Sequence, residues 1–409
     1  MWIERPTDPA LLRSVRKSIL IGAIAFAVLS CADDSRRGNG DWDGTVDTLP
    51  SGTMVVSNPS YGVWDSSSAW RAVEELRIGT LEGSGPDLFG GIAALEVDDA
   101  GRIYVLESQA QELRVFDTSG EWVRTIGREG GGPGEFRQAI GMAWAPDGNL
   151  WVVDPGNSRI SVFDTTGAYV TMHRILGGYV MMPWPGRFDV HGSFYHYGMD
   201  IDAEPGGRFV MVRFDTLLNP LDTIRVPRPP EDRYFELRTD GGFSRAGIPY
   251  SASIESRIGP NGDLWFATTG NYHLYKRSLA GDTSLIISRE FETVPVSAEE
   301  VDSAIARLEW FTRQGGRVER SRFPSVKPAV HSFYLDDDGH VWVVPVVPDT
   351  GSGYPADVFD PDGRYLGRVQ LDSGLRGNPI PIFLRGRIYA ATFDDFGVPY
   401  VVRIRIEKP

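Results

Sequence analysis

The chain has 409 residues, of which 41% are apolar and 23% charged, and its formal net charge is −14. The length alone allows two or three domains. The acidic balance, without any basic stripe, argues against nucleic acid as a partner. The single cysteine rules out an intrachain disulfide, so stability has to come from the core.

The first 30 residues have the pattern of an export signal. Arg13, Arg16 and Lys17 form a basic region directly before the apolar stretch Ser18–Ser30. That stretch is shorter than the roughly 20 residues of a membrane span and fits a secretory h-region. It leads into Val28-Leu29-Ser30-Cys31, which resembles the lipobox of bacterial lipoproteins except that Val28 stands where Leu is commonest. The resemblance implies that Cys31 is lipidated after removal of residues 1–30. The alternative is an ordinary signal peptide with a chance cysteine.

Residues 31–52 are polar and rich in glycine, which predicts a flexible tether with a reach of roughly 25 Å. In lipoproteins of this kind Asp after the cysteine often marks retention in the inner membrane, and this chain has Ala32 there. We therefore expect an exported protein, anchored by lipid in the bacterial cell envelope and on the outer membrane where the cell has one.

A short phrase occurs six times after the tether. It reads Gly, any residue, an aliphatic residue or Phe, then Tyr or Trp, and its copies begin at Gly101, Gly148, Gly192, Gly262, Gly339 and Gly386. A repeat of roughly 45 residues built from short strands is typical of a β-propeller. The sequence thus predicts an all-β, six-bladed propeller of four-stranded antiparallel blades over residues 53–409, most simply as a monomer.

The second blade is the clearest. Its first two strands flank the tight turn Pro146-Asp147-Gly148, and the alternation of Arg159–Phe163 is that of a half-buried third strand. The repeated Tyr or Trp of the second strand should fill the space between neighbouring blades.

These residues resemble the NHL repeat. The resemblance is carried by Gly130–Phe136, Pro146–Gly148 and Val153–Asp164, with echoes in Gly85–Phe89 and Leu113–Gly120. The chain as a whole is similar to the six-bladed propeller lipoproteins of bacterial envelopes, most of which have no assigned activity.

The last blade ends with its third strand, Tyr400–Ile406, and lacks a fourth. The segment Glu75–Gly79 is similar to the fourth strand of blade 1, so we expect it to close the ring as the outer strand of blade 6. Closure in this way removes the open seam between the first and last blades.

Strand direction alternates, so the turns that join strands 1–2 and 3–4 of each blade share one face, the turn face. The links between strands 2 and 3 and between blades share the other, the loop-rich face. All the long segments fall on the loop-rich face: 198–207, 227–250, 295–328 and 345–355. Binding usually resides on long loops of a rigid scaffold.

The segment 295–328 holds a predicted helix, about 297–315, that begins with a capping box at Ser297. This helix either fills space or forms a lid.

Several polar residues are candidates for a ligand-binding ring on the loop-rich face. They are Glu107, Asp154, Asn157, Arg159, Glu255, His273, His331 and Asp394. Such a ring could hold a cation or a small polar ligand, and a solvated rim is the alternative.

Two classes of function follow. The first is a lipid-anchored binding or scaffold module that presents the loop-rich face to a protein, peptide or glycan. The second is an enzyme resembling the lactonases and lyases on related propellers, with Ca²⁺ or Zn²⁺ in the pore. The first strands Ile92–Leu95, Ile140–Ala143 and Ile380–Phe383 are apolar where they should approach the axis. That composition disfavours a pore metal, so we favour binding without a cofactor and assign no catalytic residue.

Overall fold

The computed structural model describes residues 41–175, 188–200, 208–225, 227, 233–239, 242–348, 353–375 and 377–409. The signal segment 1–30, Cys31 and the first part of the tether lie outside these residues, as does most of the segment 198–207. The described residues all fall within the unit Gly38–Pro409.

The protein is a six-bladed β-propeller. Blades 1 and 2 are four-stranded antiparallel sheets: β4 (Ile92–Val97), β5 (Ile103–Glu107), β6 (Glu112–Phe116) and β7 (Trp122–Ile126), then β8 (Gly141–Trp144), β9 (Leu150–Asp154), β10 (Arg159–Phe163) and β11 (Tyr169–Arg174). Blade 3 contributes β12 (Phe194–Asp200), β13 (Arg208–Phe214) and β14 (Pro220–Ile224). At the innermost position of this blade, Phe188 forms an isolated antiparallel bridge with Phe194.

The other three blades complete the ring. Blade 4 has β17 (Ile254–Ile258), β18 (Leu264–Thr268), β19 (His273–Arg277) and β20 (Thr283–Arg289), and blade 5 has β21 (Val330–Leu335), β22 (Val341–Pro345), β23 (Tyr354–Phe359) and β24 (Tyr365–Leu371). Blade 6 has β25 (Ile382–Leu384), β26 (Arg387–Phe393), β27 (Pro399–Glu407) and, as its outer strand, β3 (Arg71–Ile78). β3 pairs antiparallel with β27, which confirms the predicted closure.

The repeated phrase builds both the turns and the interfaces between blades. All six of its glycines take positive φ, from +70° at Gly386 to +86° at Gly339, a region that favours glycine. All six aromatic rings are buried. Tyr104 of blade 1 packs in one cluster with Met142 and Val152 of blade 2, which confirms the predicted role of the rings.

The N-terminal segment does more than close blade 6. β1 (Thr45–Thr48) pairs with β2 (Met54–Asn58), and β2 pairs in parallel with β20, so the sheet of blade 4 has six strands. The chain then bonds the outer edge of blade 5, where the Trp64 amide donates to the Leu366 carbonyl at 2.8 Å, before it reaches blade 6. Residues 41–78, here called the strap, thus cross three consecutive blades. The predicted tether of 31–52 is wrong over 45–48, because those residues form a strand.

Two of the loop-rich insertions fold against each other. The segment 227–250 contains the hairpin of β15 (Tyr234–Thr239) and β16 (Gly242–Gly247). The predicted helix is two helices, α1 (Ala298–Arg307) and α2 (Glu309–Arg313), divided at Leu308, and the capping box at Ser297 is present. Leu308 and Phe311 pack with Phe235 and Ala246 of the hairpin, so the helices fill space beside it. Within the described residues, neither helix is long and apolar enough to cross a bilayer.

Candidate functional site

The turn face is built from aspartates that hold the tight turns. In blade 3 the Asp189 carboxylate accepts the amides of His191 and Ser193 and, at 2.8 Å, the hydroxyl of Tyr195. Tyr104 and Trp342 make the equivalent contacts to Asp98 and Asp336. The ring of the repeated phrase therefore also anchors its own turn.

Three ligating side chains come close together in the turn of blade 5. Single ligand atoms of Asp336, Asp338 and His340 all lie within 4.8 Å of one another. Asp336 accepts bonds from the His340 backbone amide and the Trp342 indole and contacts the His340 ring at 3.0 Å. Burial opposes a lower pKa, but the bonds to the His340 side chain and then to Trp342 hold the pKa of Asp336 below its usual value. Asp338 pairs with Lys408 at 2.9 Å. These contacts already account for the cluster as a turn structure.

A channel of about 400 Å³ runs along the axis of the propeller. Its lining comes from the innermost strands, including Leu95, Ile140, Met142, Ile258, Ile380 and Ile382. The stretches 92–95, 140–143 and 380–383 contribute apolar residues to this lining, as the sequence predicts, but Glu96 of β4 lines the channel too, as do Asp189 and Asp337. Charged side chains that reach it include Arg257, which pairs with Glu255 at 3.3 Å.

Four of the predicted ligand-face residues serve the loops instead. Glu107 is buried and accepts the amides of Gly90 and Gly91 at 2.9 and 2.8 Å. Asp154 is buried and accepts the amides of Arg137 and Gln138. Each acid ends the second strand of its blade and holds the segment that leads into the first strand.

Asn157 and Arg159 act in the same way. The Asn157 amide donates to Asp154 at 2.6 Å and to the Gly130 carbonyl at 2.9 Å. Arg159 donates to the carbonyls of Gly131, Gly132 and Glu135. Glu107, Asp154, Asn157 and Arg159 therefore hold the incoming loops through these bonds, and the ligand ring that includes them stays a prediction.

The remaining candidates lie apart from one another. Asp394 caps a turn by accepting the amides of Phe396 and Val398, both at 2.9 Å. Glu255 is engaged with Arg257 in blade 4. His273 is half-buried at the start of β19, and burial lowers its pKa. Only His331 is exposed and reaches the large cleft described next.

A cleft of about 1360 Å³ opens on the loop-rich face beside blade 5, and we call it the loop-face cleft. Segments of blades 4, 5 and 6 line it, among them the end of β20, the loop after β22 and the residues between β24 and β25. Its side chains include His331, Arg289, Arg368, Gln370, Phe291 and Tyr354.

Three residues of the cleft lining, Tyr272, Arg289 and Arg368, contact a fully buried carboxylate beneath them, Asp357 of β23. It accepts the hydroxyls of Tyr272 at 2.8 Å and Tyr365 at 2.9 Å. It also accepts Arg368 Nε at 2.7 Å and Arg289 Nη1 at 3.3 Å. Burial, and then the Asp357 charge, raise the pKa of Tyr272, so that ring stays a neutral donor. The contacts join blades 4 and 5.

The sequence analysis missed this cluster. One signal was available: Asp357 is a charged residue within the otherwise apolar stretch Ala356–Phe359, which is typical of a buried carboxylate with cationic partners. Its partners could not be found in the same way, because Tyr272 and Arg289 are 85 and 68 positions away.

Comparison with family models agrees on the fold. A family model described as a 6-bladed beta-propeller matches residues 55–174. No curated protein matches the chain in sequence. A solved structure of a Bacteroides fragilis protein inferred to be exported is 12% identical, covers 87% of this chain and 100% of its own, and has a TM-score of 0.47.

Two enzymes are among the other similar structures. A streptogramin B lyase is 11% identical over 83% of this chain and 98% of its own, with a TM-score of 0.44. A gluconolactonase from Xanthomonas campestris is 14% identical over 78% of this chain and 88% of its own, with a TM-score of 0.40.

Proposed function

We propose that this protein is an exported, lipid-anchored binding module of the bacterial envelope, resembling NHL-repeat propellers. Its loop-rich face binds a protein, peptide or glycan, and the binding site is the loop-face cleft.

The observation that carries the proposal is the size and position of the cleft. Pockets for small molecules usually measure about 300–1,000 Å³, and this cleft of about 1360 Å³ is larger. Such a volume suits a segment of a polymer. It lies on the face where the chain deviates from its own repeat, whereas the turn face consists of short turns held by their own aspartates.

The lining of the cleft also suits recognition. Exposed aromatic faces are present, since Tyr354 is 54% and Phe291 36% exposed. Hydrogen-bonding groups converge beside them from Arg368, Gln370 and His331. Ligand sites characteristically combine apolar surface with a few well-placed polar groups. The central channel is smaller, at about 400 Å³, and its wall combines aliphatic residues with the charged residues Glu96, Asp189, Arg257 and Asp337.

Binding is tested with arrays of bacterial envelope glycans and peptides, probed with wild-type protein and two matched variants. His331→Trp places a large ring in the cleft, and Asn261→Trp places the same ring in an exposed turn of the opposite face. We expect wild type and Asn261→Trp to bind the same ligands and His331→Trp to lose them. Equal binding by both variants, or loss only in Asn261→Trp, contradicts the proposal.

Anchoring at Cys31 is tested separately. We expect the full chain expressed in a bacterial host to incorporate labelled palmitate and to sediment with membranes, and Cys31→Ser to do neither. Fractionation of the two membranes then tests the outer-membrane location that Ala32 suggests. A wild-type chain without label, or a Cys31→Ser variant that is still labelled, contradicts lipidation.

The competing hypothesis is a metal-dependent lactonase-like or lyase-like enzyme. It predicts a stoichiometric Ca²⁺ or Zn²⁺ in purified protein that is lost in His331→Ala or Glu255→Ala. Elemental analysis of the three proteins separates the two hypotheses, and the binding proposal predicts no such metal.

A further inference from the structure

We propose that the loop-face cleft recognises a carboxylate of its ligand through Arg368 and Arg289. This inference rests on the proposed binding function and adds the chemical class of the group that is bound.

The buried cluster around Asp357 carries an excess of positive charge, while the exposed acids Glu290 and Glu292 lie elsewhere in the lining of the cleft. Asp357 supplies one negative charge, and Arg289 and Arg368 supply two positive charges in direct contact with it. The two tyrosines that also bond Asp357 are neutral. The Asp357 carboxylate more than offsets the effect of burial and raises the pKa of Arg368, so this guanidinium stays charged at any ordinary pH. One positive charge of the cluster therefore has no counterion within it.

Burial makes that surplus costly for the free protein. The Arg289 side chain is only 8% exposed. Its guanidinium stacks on the ring of Tyr365 at 4.3 Å, and one of its terminal nitrogens donates to the Ser60 carbonyl. Its Nε has no hydrogen-bond partner among the described residues. Charged groups removed from water are stabilised when they are paired, so an anion in the cleft would relieve this cost.

The position of Arg368 makes the surplus accessible. Its Nε and Nη2 bond the two oxygens of Asp357, at 2.7 and 3.2 Å, and fix the plane of the guanidinium. The side chain is 32% exposed and lines the cleft, so the edge away from Asp357 can meet a ligand. Arg159 in blade 2 offers a contrast, because its terminal nitrogens bond loop carbonyls and it is only 8% exposed.

The surroundings favour a carboxylate over a phosphate. A planar, pre-oriented guanidinium matches either group. However, Glu290 and Glu292 also line the cleft and are exposed. Their charges oppose a dianion more strongly than a monoanion. Exposed faces of Tyr354 and Phe291 are available beside the two arginines for the apolar body of the ligand.

The test compares probes that differ in one group. Full-length protein is titrated, by calorimetry or ligand-observed NMR, with galacturonate against methyl galactoside and with acetyl-alanyl-alanine against its amide. Inorganic phosphate is a fifth probe. We expect one acidic probe to bind about tenfold more tightly than its neutral partner, as loss of a charged pair of hydrogen bonds implies. The pair that shows the difference identifies an acidic sugar or a peptide terminus as the source of the carboxylate.

Substitutions of Arg368 test whether this residue causes the preference for the acidic probe. Arg368→Gln should abolish the preference for the acidic probe. Arg368→Lys, which keeps the charge and protects the fold but lacks the planar fork, should weaken it. Arg364→Gln, an exposed arginine of the same blade on the turn face, is the matched control and should leave binding unchanged.

The outcomes distinguish a failure of the carboxylate site from a failure of the proposed binding function. The carboxylate site is overturned if acidic and neutral probes bind equally, if phosphate binds more tightly, or if no carboxylate binds. It is also overturned if the preference for the acidic probe survives in Arg368→Gln and Arg368→Lys. The binding function is contradicted by a different result, array binding that stays intact in His331→Trp.

Discussion

The carboxylate of Glu75 in the strap accepts a hydrogen bond from Arg403 Nε of the last strand at 2.6 Å. Arg387 and Arg405 donate to the same carboxylate at 2.7 and 3.3 Å. Glu75 lies where the register between β3 and β27 shifts, so a β-bulge directs this one side chain toward three arginines. The N-terminal and C-terminal parts of the chain are thus joined by a charge cluster as well as by a strand ladder.

Glu75→Gln should destabilise the protein by about 2 kcal/mol, because three arginines lose a largely buried counterion. Urea unfolding measures the change. Glu74→Gln is the matched control, because Glu74 is similarly exposed but pairs with one half-exposed arginine, Arg77. This substitution should lower the unfolding free energy by less than about 1 kcal/mol. Equal losses in the two variants would show that the cluster adds nothing to closure.

Deletion of residues 66–80 should abolish cooperative unfolding. It removes β3 and leaves β27 as an open edge in the ring. Circular dichroism on heating is expected to show a broad transition at lower temperature than in wild type. A truncated chain with an unchanged melting curve would refute the role of the strap in closure.

Tyr195→Phe should cost about 1–3 kcal/mol, because the buried Asp189 carboxylate loses a donor at 2.8 Å. Tyr104→Phe serves as control and should cost less: its hydroxyl is 3.3 Å from Asp98, which also binds Arg102 at 2.6 Å. Urea midpoints of both variants measure the difference. If Tyr104→Phe is the more damaging, the account of the turn aspartates is wrong.

His196 should make the fold sensitive to acid. Burial lowers the pKa of His196 to about 4, against about 6.5 for histidine in an unfolded chain. Between these values the unfolded state binds more protons, so stability rises with pH and falls as the pH drops from 6.5 to 4. The loss is at most about 3 kcal/mol.

The corresponding measurement is urea unfolding of wild type and His196→Gln at several pH values. The difference in unfolding free energy between them should shrink as the pH falls from 7 to 4.5. Parallel pH profiles would show that the burial of His196 does not affect its protonation.

The blades could be predicted from the sequence because each repeat carries its own turn glycine and its own buried aromatic side chain. The capping box at Ser297 likewise lies within one helix end. The strap was recognised only in part. β2 pairs with a strand about 230 positions away, as the hydrogen bond of Asn58 to the Ser288 carbonyl shows, and nothing local in Met54–Asn58 specifies that partner.

The candidate site was the least predictable feature. Acids at the ends of second strands, such as Glu107 and Asp154, have side chains of the type that binds ligands. In the structure, however, backbone amides of the incoming loops donate hydrogen bonds to them. The residues that shape the loop-face cleft come from three consecutive blades, and only the packing of these blades brings them together. His331 was identified because it follows a long insertion at the start of a first strand.

The binding face is tested most directly by hydrogen–deuterium exchange of the full-length protein, with and without the array ligand that gives the strongest signal. We predict slower exchange on binding in peptides that cover 289–292, 344–348 and 368–371, with none in the turns at 98–101, 146–149 and 260–262. Protection confined to those turns, or to strands that line the central channel, would contradict a binding site in the loop-face cleft.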